Sequence, residues 1–192
     1  MNTPLAFRIR PTTLSEIIGQ EHLVGEQGFL TSCLTHQTLV SMIFYGPPGV
    51  GKTTLAAAFA QSMKVHFMQL NAVTSSKKDI ETAVEEAKMF DACIVIMDEV
   101  HRLNKDKQDL LLPFIEDGTI YLIGATTANP YISINPAVRS RCHLLEVKRL
   151  SENEVFLGLK RAVSLPNGLN NRIHFSEPAL KLLSKMSGGD MR

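Results

Sequence analysis

The sequence predicts an α/β fold, a five-stranded parallel sheet flanked by helices on both faces and followed by a small helical segment. Three observations predict it. Five apolar, β-branched segments alternate with helical patterns over the first 150 residues, the arrangement that parallel crossovers require. Residues 92–97 form an unbroken apolar run ending in Asp98-Glu99, as expected for a central strand buried on both faces. After Leu150 the strand signals stop, and only two helical patterns remain.

The elements follow in order. Residues 39–45 read as a strand running directly into a glycine-rich turn. Residues 55–63 form an Ala-rich, almost uncharged helix, so much of its surface is expected to be buried. A strand is predicted at 65–70, and an amphipathic helix at 79–90 with its charges on one side. The central strand at 92–97 precedes a helix at 105–116, a strand at 119–125 and a last short strand at 143–147. Helices at 152–163 and 177–187 have Ser151 and Ser176 as N-caps. The change of pattern places a domain boundary near Leu150.

Composition narrows the function classes. A chain of 192 residues can bury a proper core. Its 20 Lys and Arg balance 19 Asp and Glu, so no global field argues for nucleic acid, and any DNA contact must come from a local patch. The start lacks a basic region followed by a long apolar run, and no apolar stretch is long enough for a membrane span. Cys33, Cys93 and Cys142 are odd in number and widely spaced, which fits neither a disulfide framework nor a zinc site. A reduced, cytosolic protein is expected, with Cys93 in the core beside Met63, Met68 and Met89. His22 and His101 have no partner at metal-ligand spacing. Lys105, Asp106 and Lys107 read as a solvated helix start, with a DNA-facing role left open.

The chemistry is carried by Gly46, Pro47, Pro48, Gly49, Val50, Gly51, Lys52 and Thr53, which match G-x-x-x-x-G-K-[ST], with Thr54 following. Glycines let such a loop wrap closely, so that successive backbone N–H groups and the next helix's N-terminus face phosphate oxygens. Lys52 is expected to reach the β and γ phosphates, and Thr53 to place its hydroxyl on Mg²⁺. A strand before the loop and a helix after it supply the context the motif needs. Asp98 is expected in the Mg²⁺ shell, and Glu99 to orient or deprotonate an attacking water. Arg139 and Arg141, in Ala137-Val-Arg-Ser-Arg-Cys142, and Arg192, in Gly188-Gly-Asp-Met-Arg192, are candidates for stabilising transferred charge, with ordinary solvated surface as the competing reading.

The loop and the Asp98-Glu99 strand resemble AAA+ ATPases of the P-loop NTPase class, and Ser140-Arg141-Cys142 resembles the clamp-loader branch. The stretch from Asp98-Glu-Val-His-Arg-Leu-Asn-Lys to Phe114-Ile-Glu-Asp-Gly118 resembles the replication-associated recombination protein A family. So do Ile123-Gly-Ala-Thr-Thr-Ala-Asn-Pro130 and Asn71-Ala-Val-Thr-Ser75, and the likeness spans nearly the whole chain. It implies a nucleotide-binding core at residues 1–150 and the beginning of a helical lid at 151–192. It further implies that Ile18, Gly19 and Gln20 lie against adenine, mostly through backbone. Thr127 resembles the sensor-one residue, with Thr126 and Asn129 as neighbouring candidates. Arg141 resembles the finger offered to a neighbouring subunit's ATP, with Arg139 a departure from the family pattern that leaves the assignment open. Arg192 resembles the sensor-two arginine, and Asn71 the residue that restrains the catalytic glutamate.

Members of that family are DNA-dependent, oligomeric ATPases acting on gaps and ends at stalled replication forks, near single-stranded DNA-binding protein. The resemblance therefore implies ATP and Mg²⁺ as cofactors, DNA and further copies of the chain as partners, and a cytoplasmic, nucleoid-associated setting. It also implies a chain ending before the lid and the C-terminal oligomerisation region are complete. Two alternatives stand beside it: one lobe of a DExH-type helicase, from Asp98-Glu-Val-His101, and a nucleotide-binding scaffold without turnover.

Overall fold

The computed structural model describes residues 3–191. Three short helices, α1 (Leu5–Arg8), α2 (Glu21–Val24) and α3 (Phe29–Thr35), precede strand β1 (Met42–Tyr45) and helix α4 (Lys52–Met63). Next come β2 (His66–Asn71), α5 (Lys77–Ala87), β3 (Cys93–Asp98), α6 (Lys105–Glu116) and β4 (Tyr121–Thr126). Two single-turn helices, α7 (Pro130–Ser133) and α8 (Pro136–Arg139), lead to β5 (His143–Glu146), and α9 (Glu152–Ser164) and α10 (Glu177–Met186) complete the order.

All strand pairs are parallel, and the sheet order is β2-β3-β4-β1-β5. Alternate residues of each strand enter opposite core layers, as a pleated sheet covered on two sides demands. Met42, Phe44, Ile94, Ile96 and Ile123 meet Leu55, Phe59 and Met63 of α4 and Leu30 of α3. Ile43, Val95, Met97 and Leu122 meet Ile80 and Val84 of α5, Leu111 of α6 and Val138 of α8. Removing one such fully buried aliphatic side chain from water contributes about 1.5–3 kcal/mol, so both layers hold the sheet that carries the site.

The local signals explain the boundaries. Ser76 and Asp79 form a capping box, so α5 starts at Lys77, two residues before the expected start, and Asp79 stands at its third position. Phe90 lies beyond the helix and stacks on His66 at 3.9 Å between ring centres. Strand β1 begins at Met42 because Ser41 is used differently: its hydroxyl accepts Leu122 N–H at 3.0 Å and its carbonyl accepts His143 N–H. Ser151 with Glu154 caps α9, and Ser176 caps α10. Helices α9 and α10 pack against each other, and no strand follows β5 among the described residues. Met63 is buried and Met68 packs on the second layer, but Met89 is exposed, since it falls past the last turn of α5.

The three cysteines are free. Burial alone pushes the Cys142 thiol up to about 12, and burial with the nearby Glu86 charge pushes Cys93 up to about 11. No described helix is long and apolar enough to cross a membrane.

Candidate nucleotide-binding site

Strand β1 stops at Tyr45 because the chain must turn sharply over the sheet end. Gly46 has φ +147°, and a Cβ there would stand 2.2 Å from Val147 O, so only glycine allows this approach. Gly51, in the left-handed region, leads into α4, which places Lys52 and Thr53 in its first turn. Lys52 is buried, and its ammonium donates to Gly46 O at 2.9 Å and Pro47 O at 2.7 Å. The loop thus holds a positive charge at its own centre.

The end of β3 reaches the start of α4. Thr53 Oγ1 donates to Asp98 Oδ1 at 3.0 Å, and the same carboxylate oxygen accepts Glu99 N–H at 3.1 Å. Glu99 takes φ +51° and ψ +42°, left-handed backbone that costs a non-glycine residue about 1–2 kcal/mol. That turn directs the chain out of the sheet into a short 3₁₀ segment, Val100–Arg102, instead of another strand residue.

Glu99 opens onto a cleft of about 630 Å³ that is also lined by His101, Arg102, Lys107 and Thr127. One Glu99 oxygen, Oε2, is buried without a hydrogen bond; His101 Nδ1 lies 3.3 Å from it, an ion-pair distance without hydrogen-bond alignment. The same Nδ1 is 2.8 Å from Thr126 Oγ1, which accepts Ala128 N–H at 3.0 Å.

A second, mainly apolar cavity of about 500 Å³ lies beside the loop, lined among others by Ile9, Ile17, Ile18, Val50, Leu159 and Met191. Gly19 backs onto α9 so closely that a Cβ would meet Glu154 Oε1 at 2.4 Å. Gln20 is buried; its side chain donates to Lys148 O at 2.8 Å and accepts Lys148 N–H at 2.9 Å, mimicking a strand partner. Arg161 of α9 pairs with Glu16 at 2.8 Å and also donates to Glu16 O, tying the helical segment to the chain before Ile18. Hydrogen bonds from Thr12 N–H above all hold the Glu16 carboxyl below its ordinary value. At the same cavity, Met191 N–H donates to Gly49 O at 3.1 Å.

These features fit a nucleoside triphosphate with Mg²⁺. The cradle at Gly46 excludes any side chain, a buried ammonium stands inside it, and Thr53 and Asp98 put two hard oxygens side by side, the donor set Mg²⁺ takes with phosphate oxygens. The apolar cavity next to the loop has the character expected of a base pocket.

A family profile described as "ATPase family associated with various cellular activities (AAA)" matches residues 42–150, more than half of the sequence. The chain belongs to this AAA family. Its two-layered core is therefore that of an AAA domain, and the two-lobe helicase reading loses its support. This AAA chain is 48% identical to replication-associated recombination protein A of Bacillus subtilis over 191 residues, 98% of this chain and 45% of that protein. It is 39% identical to ATPase WRNIP1 of Dictyostelium discoideum over 98% of this chain and 22% of that one. The chain spans less than half the length of these curated relatives. Among solved structures, the Thermotoga maritima RuvB Holliday junction branch migration motor superposes with a TM-score of 0.80 at 28% identity, over 96% of this chain and 62% of that one.

Within the AAA domain, the loop residues from Gly46 to Thr54, Asp98, Glu99 and Thr127 converge at the C-terminal edge of the sheet, where open α/β folds bind ligands. Ile18 and Gln20 line the apolar cavity. Thr126 is buried and occupied by His101, whereas Thr127 is exposed on the Glu99 cleft. Asn129 caps α7 by accepting Tyr131 N–H at 3.0 Å. Asn71 lies beside Asp98 in register, but its side-chain oxygen accepts Val73 N–H, and no hydrogen bond joins it to Glu99. Arg141 is apart from the loop, paired with Glu116 and donating to Ala137 O at 2.7 Å. Arg139 is bound to Tyr131 O and lies over the Tyr131 ring. Arg192 lies outside the described residues. Sequence reasoning missed Glu16, Arg161, His101 and the Gln20 pairing; of these, only His101 had a visible signal, its place two residues after Glu99.

Proposed function

We propose that the protein is a DNA-dependent AAA+ ATPase acting in maintenance and recombination at stalled replication forks, with ATP hydrolysed at subunit interfaces. The observation that carries the reading is the Thr53–Asp98 contact with Glu99 next to it, at the mouth of a loop holding a buried Lys52. In this reading Lys52 exchanges its carbonyl partners for the β and γ phosphates, since bonds to ionised oxygens are the stronger kind. Thr53 and Asp98 hold Mg²⁺, which neutralises charge on the phosphates when bound. Glu99 orients and deprotonates water, and Thr127, facing the same cleft, senses the γ-phosphate. Ile18, Gly19 and Gln20 border the adenine, and Arg192 closes on the nucleotide from the helical side, a role supported by Met191 lying on Gly49.

Arg141 is the finger in trans. Its exposed position and its distance from the loop of its own chain favour a role at a neighbour's ATP, and Arg139, held at Tyr131, is the less available of the two. This requires a homo-oligomer. DNA gaps, ends or forks and single-stranded DNA-binding protein are the proposed partners, in the cytoplasm at the nucleoid. The names of the bacterial relatives support this setting.

Phosphate release by the full-length protein, titrated with single-stranded, gapped and blunt-ended DNA, tests the reading. Severalfold stimulation by at least one is expected. Equal rates with and without every DNA would remove the DNA dependence while leaving nucleotide binding intact.

A further inference from the structure

We propose that His101 is a positioning residue for Glu99, linking its carboxylate to the end of β4 through the Thr126 hydroxyl; this rests on the reading of Glu99 as the residue that activates water. The imidazole is held firmly. Arg102 N–H donates to Glu99 O at 2.8 Å and Leu103 N–H to Val100 O at 3.1 Å, closing the 3₁₀ turn that carries it. Val100, fully buried, anchors the turn against Gly124 of β4, where even a Cβ would be crowded at 2.9 Å.

One nitrogen then faces two oxygens. Nδ1 stands 2.8 Å from Thr126 Oγ1 and 3.3 Å from Glu99 Oε2. A hydroxyl has one proton and two acceptor sites, and Ala128 N–H takes one acceptor site of Thr126. Thr126 can therefore donate to a bare Nδ1 or accept from Nδ1–H. In the first arrangement Glu99 Oε2 keeps no hydrogen bond, a buried acceptor left without a donor. In the second, a small turn of the ring offers Nδ1–H to Glu99 and fixes its carboxylate. Thr126 precedes Thr127, so a displacement at the end of β4 reaches Glu99 through a single ring. Asn71 offers no competing restraint, because its side-chain oxygen is committed to Val73.

The test is steady-state hydrolysis and ATP binding by the full-length protein in four variants: Glu99→Gln, His101→Phe, His101→Asn and Thr126→Val. His101→Phe should lower kcat about tenfold or more with KM changed less than about twofold, because it acts on the transition state rather than on ATP binding. His101→Asn places an amide N–H where Nδ1 stands and should recover kcat to within about threefold of wild type. Thr126→Val should lower kcat in the same way, and in a Glu99→Gln background His101→Phe should cause no further loss. If Glu99→Gln turns over normally, the reading of Glu99 fails, and the inference with it. If Glu99→Gln is inactive but His101→Phe keeps wild-type kcat, the inference alone is overturned. Equal damage by Phe and Asn also overturns it, since only packing would then be at stake. Should His101→Phe fail to fold, His101→Asn and Thr126→Val decide: normal kcat in Thr126→Val overturns the link.

Discussion

Thr53 and Asp98 are joined by a 3.0 Å hydrogen bond that spans the gap between the first turn of α4 and the last residue of β3. These residues are 45 positions apart in sequence, and the parallel sheet alone brings them together. In the proposed reading this pair holds Mg²⁺, and the same Asp98 oxygen accepts the Glu99 N–H where Glu99 leaves the sheet.

Asp98→Asn should weaken ATP binding only when Mg²⁺ is present. Replacing a carboxylate by an amide removes the charge that a small, hard cation needs. Titration of a fluorescent ATP analogue should show the Mg²⁺-dependent part of the affinity reduced about tenfold, or roughly 1.4 kcal/mol. Affinity in the presence of a chelator should be unchanged. An unaltered response to Mg²⁺ would remove Asp98 from the metal shell.

Gly46→Ala should damage both the fold and nucleotide binding. The added Cβ would meet a backbone oxygen, Val147 O, which cannot swing aside as a side chain would. A loss on the order of 1–3 kcal/mol is expected, lowering Tm by several degrees in a chain of this size. A variant with wild-type Tm would mean the loop can be rebuilt without glycine.

Arg141→Ala should separate stability from turnover. The Arg141–Glu116 pair is about two-fifths exposed on each side, so its loss costs at most about 1 kcal/mol and moves Tm little. Hydrolysis by the assembled protein should nevertheless fall strongly. Mixing inactive Arg141→Ala and Lys52→Ala subunits should recover part of the activity, because some interfaces then combine an intact loop with an intact finger. Confirmed mixed assemblies with no recovery would argue against a finger in trans.

The middle of the sheet was legible because its inner strands are buried on both faces, which forces near-continuous apolar runs such as Cys93 to Met97. The loop was legible because its constraint is local: glycine at Gly46 and a cation six residues on. Helix starts at Ser76, Ser151 and Ser176 carry capping chemistry within four residues, and where the box at Ser76 was overlooked the predicted start of α5 came late. The single-turn helices α1, α2, α7 and α8 are too short to show periodicity. The pairings that the sequence does not show depend on distant partners. Gln20 meets Lys148, Glu16 meets Arg161, and His101 meets Thr126 only once the chain has folded. Arg139 and Arg141 could not be ranked by spacing, and their separate anchors, Tyr131 and Glu116, form only in the folded chain.

The most direct test of the central claim is Glu99→Gln in the full-length protein, read by ATP binding and phosphate release side by side. The amide keeps the shape of the side chain but cannot take a proton from water. ATP affinity should stay within about twofold of wild type while kcat falls by about a hundredfold or more. Hydrolysis at the unmutated rate would contradict the account.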